Sequence, residues 1–292
     1  MNIPEINFPN LDSDFIKNPY PHLKELRESS PLHRDTNSNL ILVTRFEGVK
    51  GIQTSKAFSS SQPIDVHTDN KTNSDSYPYF WQTEEFSLLN LEGQLHGDLR
   101  GIVAKAFSTR QVQELRPFME AKSNDLLNAL KGGSFDLLAD YAQPYSVSVI
   151  GKLLGVPEEQ YDNFLDWSNK IVKMYDLEVS EKSAEEAETA AKDFYFYINE
   201  LIDEKVKNPD DDMISRLSQV TENDQKLTKD QIICTVILLL NAGHEATVNT
   251  IGNSVVALRQ NDIETQGLDE KYEIKKIIEE LIRWDSPLQF FQ

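Results

Sequence analysis

Three small groups of residues in this chain could do chemistry. His96 and Arg100 lie four apart, so on a helix they share one face. Two donor groups placed so suit a carboxylate ligand, which arginine can grip with two parallel bonds; the same spacing also suits an ordinary solvated face. Gly243, His244 and Glu245 interrupt a long apolar stretch. A glycine inside a helix costs about 1 kcal/mol against alanine, and it lets something approach the backbone closely. Glu245 is then either an acid used in proton transfer, since buried carboxylates are otherwise expensive, or the side chain of a kinked helix reaching solvent or a cation. Glu280 and Arg283, three apart, can join a buried ion network, although exposed pairs of this kind contribute little.

Other chemistries fail on residue type. A His-Glu-x-x-His zinc site starting at His244 needs a second histidine at 248, and that residue is Val248. There is no Gly-x-Ser-x-Gly, phosphate loop or dinucleotide fingerprint. The single cysteine, Cys234, rules out an intramolecular disulfide and argues against a cysteine zinc site. It lies two turns before Gly243 in an apolar setting typical of an inert core thiol.

The elements that must position these groups are mostly helical. The spacing predicts helices over 94–107, 111–130, 135–154, 158–175, 184–207 and 273–284. Thr228 reads as an N-cap with Gln231 as its capping-box partner, opening a helix to about 258 that would span roughly 45 Å. Its stretch 232–240 is apolar on every face, the mark of a helix buried all round. Residues 39–44 read as a strand. Residues 59–87, rich in Ser, Asn, Asp and Pro, read as a long loop. Its terminal Tyr77, Tyr79, Phe80 and Trp81 either line a pocket or pin the loop to the core.

A formal charge of −19 opposes nucleic-acid and anionic-membrane partners. The run 232–240 falls short of the roughly 18–20 residues of a membrane span, and the N-terminus carries no signal-peptide pattern. A soluble, cytoplasmic protein is expected.

Sequence resemblance sharpens this. Leu238-Leu239-Leu240-Asn241-Ala242-Gly243-His244-Glu245-Ala246-Thr247-Val248-Asn249 is very similar to the distal helix of soluble bacterial cytochromes P450. The resemblance implies that Ala242 and Gly243 face haem b and leave room for dioxygen. Glu245 would stand where the family keeps the acid that feeds protons to bound oxygen. The family pattern next has a threonine; here it is Ala246. Thr247, turned by about 100° around the axis, is no direct substitute, so water or a substrate hydroxyl would complete the relay. Asn90-Leu91-Glu92-Gly93-Gln94-Leu95-His96-Gly97-Asp98-Leu99-Arg100 resembles the helix that binds the haem propionates, although prolines are usual at 93 and 94 and a basic residue at 98. Glu279-Glu280-Leu281-Ile282-Arg283-Trp284-Asp285-Ser286-Pro287-Leu288-Gln289 is similar to the structural Glu-x-x-Arg segment.

The resemblance runs from about Asp14 to Gln292. It implies a mainly α fold with a minor β component, forming a single incomplete domain over 1–292 that stops before the loop bearing the axial cysteine. That thiolate pushes electron density onto the iron, and Cys234 does not replace it, so the chain holds no metal ligand. The implied function is a haem-thiolate monooxygenase inserting one oxygen atom from O2 into a small apolar substrate, with electrons from a ferredoxin-like or flavin donor. The chain alone is expected to be inactive unless the remainder is supplied. The alternatives are a haem-free accessory or binding relative and a non-functional fragment.

Overall fold

Proline and glycine set many of the helix boundaries in this chain. The structure, a computed structural model, describes residues 3–9, 12–59, 74–107, 109–130, 132–176, 179–222, 225–266, 268 and 273–288. They fall into two compact units, Met1–His67 and Thr68–Gln292.

In the first unit, β1 (Glu5–Ile6) pairs in parallel with β2 (Leu32–Asp35), and β2 pairs antiparallel with β3 (Ile41–Val43). The strand expected over 39–44 is β3. Asp35 builds the connecting turn by accepting from the Ser38 backbone N–H at 2.9 Å and the Ser38 hydroxyl at 2.6 Å. Helices α1 (Ser13–Lys17), α2 (Tyr20–Ser29) and α3 (Phe46–Thr54) complete the unit.

The second unit is helical, apart from a short hairpin of β4 (Thr221–Glu222) and β5 (Gln225–Lys226). Its helices are α4 (Pro78–Glu84), α5 (Gly93–Ala106), α6 (Thr109–Glu114), α7 (Arg116–Ala129), α8 (Gln143–Leu154), α9 (Tyr161–Ile171), α10 (Glu181–Lys207), α11 (Met213–Gln219), α12 (Lys229–Gln260) and α13 (Ile274–Trp284). The helix expected over 111–130 is two helices broken at Leu115. Pro117 has no N–H for the carbonyl four residues back and its ring crowds that carbonyl. It is tolerated in the first turn of α7, where the N–H has no partner anyway. Pro144 acts similarly on the expected 135–154 helix. Asp140 loses its donor four residues on, and a wider π-helical turn, Leu138–Ala142, precedes α8.

The core lies among α8, α9, α10 and α12, where Phe164, Phe194, Ile198, Ile233, Ile237 and Leu240 are fully buried. Phe164 packs 4.8 Å from Phe194 and 5.4 Å from Tyr197 between ring centroids. Each such side chain contributes about 1.5–3 kcal/mol by leaving water. The capping box of α12 forms as expected, with Thr228 and Gln231 each bonding the other's backbone N–H. Residues 232–240 are buried, Leu238 and Leu239 partly. Length and composition would let α12 cross a membrane, but half of its most apolar stretch is covered by protein.

Gly155 ends α8 with φ 89°, and the Asp212 carboxylate occupies the space its Cβ would need, 2.2 Å away. Asp212 is buried, caps α11 through the Ser215 N–H at 2.8 Å and pairs with Lys205 Nζ at 2.6 Å. Glycine is required here by both backbone conformation and space.

Candidate functional site

The middle of α12 is held by α8. Ser146 and Ile150 are one turn apart on α8 and meet consecutive residues of α12. The Ser146 hydroxyl lies 2.7 Å from His244 Nδ1. A Cβ at Gly243 would come within 3.0 Å of Ile150 Cδ1. Gly243 therefore permits close helix approach. The expectation that it interrupts the helix is corrected, because α12 runs unbroken from Lys229 to Gln260. His244 is 2% exposed, and burial pushes its pKa down to about 4, so it is neutral near pH 7.

With Gly243 and His244 committed to α8, the following turn presents its other side. Ala242, Glu245 and Ala246 are exposed. Partial burial, and then the Asp176 charge, raise Glu245 above the usual carboxylate range. Thr247 is half-buried and its hydroxyl donates to the Gly243 carbonyl at 2.8 Å. That bond occupies the Thr247 proton within the helix. Asn241, one turn before Glu245, is 8% exposed, and its Oδ1 has no hydrogen-bond partner among the described residues.

The segment beside this side of α12 escaped the sequence reading. Within the expected loop 59–87, residues 60–73 lie outside the described residues, but 78–84 form α4. Tyr77 and Phe80 are buried in the core and Tyr79 and Trp81 pack against it, so these aromatics pin the segment. Both ends of α4 are held by carboxylates. Glu188 on α10 accepts from the Tyr79 and Phe80 N–H groups at 3.0 and 2.9 Å. Glu84 is itself buried. It accepts from the Tyr175 hydroxyl at 2.7 Å and from Asn90 Nδ2 at 2.9 Å. Burial raises its pKa, and the two hydrogen bonds offset part of that rise. Cys234 is fully buried and its Sγ donates to the Gln82 carbonyl at 3.3 Å. Burial pushes this thiol up to about 12, so it stays protonated and is no nucleophile at neutral pH.

On α5, Leu99, Ile102, Val103 and Ala106 are buried, which turns His96 (half-buried) and Arg100 (exposed) outward. Arg100 forms no ion pair with a described residue. On α13, Arg283 donates from Nε and a terminal nitrogen to the two oxygens of Glu280 at 2.7 and 2.6 Å. The pair is bidentate as the spacing allows, but it is exposed, which corrects the expectation of a buried network. Ile274, Ile278 and Ile282 of α13 are exposed too. Gln289 lies outside the described residues.

No single local signal marks Ser146, Glu84, Tyr175 or Glu188, since each gains its partner from 90 or more residues away or, for Glu84, through burial. Asn241 alone was legible in principle, as the amide that ends the apolar run 232–240.

Comparison with known proteins gives one consistent result. No family model matches the chain. It is 31% identical to cytochrome P450 CYP107DY1 of Priestia megaterium over 85% of its own length and 60% of that protein's. It is 32% identical to cytochrome P450 107B1 of Saccharopolyspora erythraea over 95% of its own length and 68% of that protein's. Among solved structures, P450BioI in complex with a hexadec-9Z-enoic acid ligated acyl carrier protein superposes with a TM-score of 0.85 at 29% identity, covering 95% of this chain and 71% of that one. The chain thus spans about 60–70% of the length of the relatives it matches.

Proposed function

Because the chain belongs to the cytochrome P450 family, we propose that it supplies the distal, oxygen-facing part of a haem-thiolate monooxygenase acting on a small, mainly apolar molecule. When bound, haem b supplies the iron at which O2 is reduced and one oxygen atom is delivered to the substrate. The observation that carries this reading is the division of α12 around residue 243. One side is locked to α8 through Gly243 and His244, and the other presents Ala242, Glu245 and Ala246.

The donor set fits the carboxylate side of haem. Arg100 is an exposed guanidinium with no described acid partner, and His96 stands one turn before it. Together they would bind the propionates. Ala242 and Ala246 project only methyl groups, which leaves room beside a flat ring. Glu245, with its raised pKa, would hold a proton at its carboxyl group nearer neutral pH than an ordinary glutamate does. Thr247 would take no part, its hydroxyl being bound to the Gly243 carbonyl. Cys234 does not fit as the axial ligand, being fully buried within the core with its Sγ against the Gln82 carbonyl. The thiolate, a ferredoxin-like or flavin electron donor, and a cytoplasmic setting are parts of the same proposal that lie beyond these residues. Glu280 and Arg283 are assigned a structural role.

Titration of the purified chain with haem, followed by absorption, tests the reading. Saturable binding that weakens about tenfold in Arg100→Leu is expected, with no thiolate signature in the reduced carbon monoxide spectrum. Equal, non-saturable uptake by both proteins would sink it and leave the haem-free binding protein as the better reading.

A further inference from the structure

One polar side chain of α12 is explained neither by the core nor by the proposed proton-holding role. Asn241 sits where the apolar run 232–240 ends, is 8% exposed, and keeps an unpartnered Oδ1. Buried amides without partners are uncommon, and each one asks for an explanation. A leucine at the same position would fill the space without stranding an acceptor.

Helical spacing places this oxygen. Cys234, Asn241 and Glu245 lie at intervals of seven and four, so they share one side of α12. That side meets the end of α4, because Cys234 Sγ donates to the Gln82 carbonyl. The turn Val172–Tyr175 comes to the same place: the Tyr175 hydroxyl reaches Glu84, and the next residue, the exposed Asp176, lies near enough for its charge to act on Glu245. The side of α12 that carries Asn241 is therefore the side that acceptors and negative charge approach, and no cation is bonded to Glu84, Asp176 or Glu245 among the described residues.

We propose that Asn241 is a specificity-determining residue whose amide oxygen accepts a hydrogen bond from the hydroxyl or ammonium head of an otherwise apolar substrate, beside the carboxylates of Asp176 and Glu245. This rests on the reading of the Glu245 side of α12 as the oxygen-facing side of a monooxygenase, where the substrate has to lie, and it narrows the substrate class from apolar to apolar with one donor head. A carboxylate head would meet acceptors and like charge, and is disfavoured.

Calorimetric titration of the intact chain with octan-1-ol, octylamine and octanoate tests the inference. The alcohol and the amine should bind at least tenfold tighter than octanoate. Asn241→Leu should lose at least fivefold for both donors and leave octanoate unchanged, and Asn241→Ala serves if the leucine variant does not fold by circular dichroism. Asp176→Asn should weaken octylamine alone, separating an ammonium from a hydroxyl head. Octanoate binding as tightly as the alcohol, an unchanged preference in the Asn241 variants, or no binding of any of the three would overturn the inference. Haem titration of the same samples keeps the two readings apart: saturable haem binding without a donor-head preference overturns the assignment of Asn241 alone.

Discussion

Ser146 Oγ lies 2.7 Å from His244 Nδ1, and this buried bond joins residues 98 apart in the chain. It makes the position of Glu245 a consequence of α8. It also builds a titrating group into the core. Burial holds His244 near pKa 4 in the fold, whereas an unfolded histidine titrates near 6.5. Between those values the unfolded chain binds the extra proton. Stability is therefore fully present above about pH 6.5 and falls as pH drops toward 4, by about 3 kcal/mol in all. Urea unfolding at pH 7, 5.5 and 4.5 should show this loss in the natural protein and a flatter profile in His244→Gln. Identical profiles would remove His244 from the account.

Gly243 and Ile150 should be energetically coupled. Gly243→Leu forces side-chain atoms into Ile150, 3.0 Å from where the first carbon would sit, and overpacking of this kind costs about 1–3 kcal/mol. Ile150→Ala in the same chain should recover part of that loss. A double-mutant cycle with no interaction energy would mean that the two helices relax apart freely.

The Lys205–Asp212 pair is nearly buried on both sides. Removing only the cation, in Lys205→Met, leaves an uncompensated carboxylate and should cost about 3–5 kcal/mol. Asp212→Asn added to Lys205→Met should restore most of it, because the amide oxygen still caps α11 through the Ser215 N–H. Chemical denaturation of the single and double variants decides this, and a loss below 1 kcal/mol in Lys205→Met would contradict it.

Glu84 has the opposite pH sign from His244. Its pKa is raised in the fold chiefly by burial, so the folded chain holds its proton longer, and its contribution to stability is lost as pH rises through the folded value. Glu84→Gln keeps an oxygen to accept from Tyr175 and Asn90 and removes the charge. The variant should unfold at higher urea concentration than the natural protein at pH 8, with the gap closing at pH 4. A gap that is unchanged with pH would show that the carboxyl group does not titrate differently on folding.

Local chemistry was legible in the sequence and distant chemistry was not. Thr228 and Gln231 announce the start of α12 because a capping box lies within four residues. Cys234 reads correctly as inert because an apolar run already tells of burial. Leu115 could be placed as a break once Pro117 is given its due. Glu280 and Arg283 show the limit of spacing: three residues apart ensures that they can pair, but burial depends on what packs over them, and here the pair is exposed. Glu188 and Glu84 look like any surface glutamates until α4 is packed in place. Asn241 was visible as a letter, but its unsatisfied oxygen appears only when the neighbours of α12 are in place.

The Glu188 carboxylate that closes the start of α4 bears also on the order of assembly. The two N–H groups it receives come from residues 109 and 108 positions earlier. As the chain is synthesised, α4 emerges long before its cap exists, and seven residues without a cap make a poor helix in water. The segment is therefore expected to order only after α10 has formed and presents Glu188, which makes α4 a late-folding element that a long loop closure precedes.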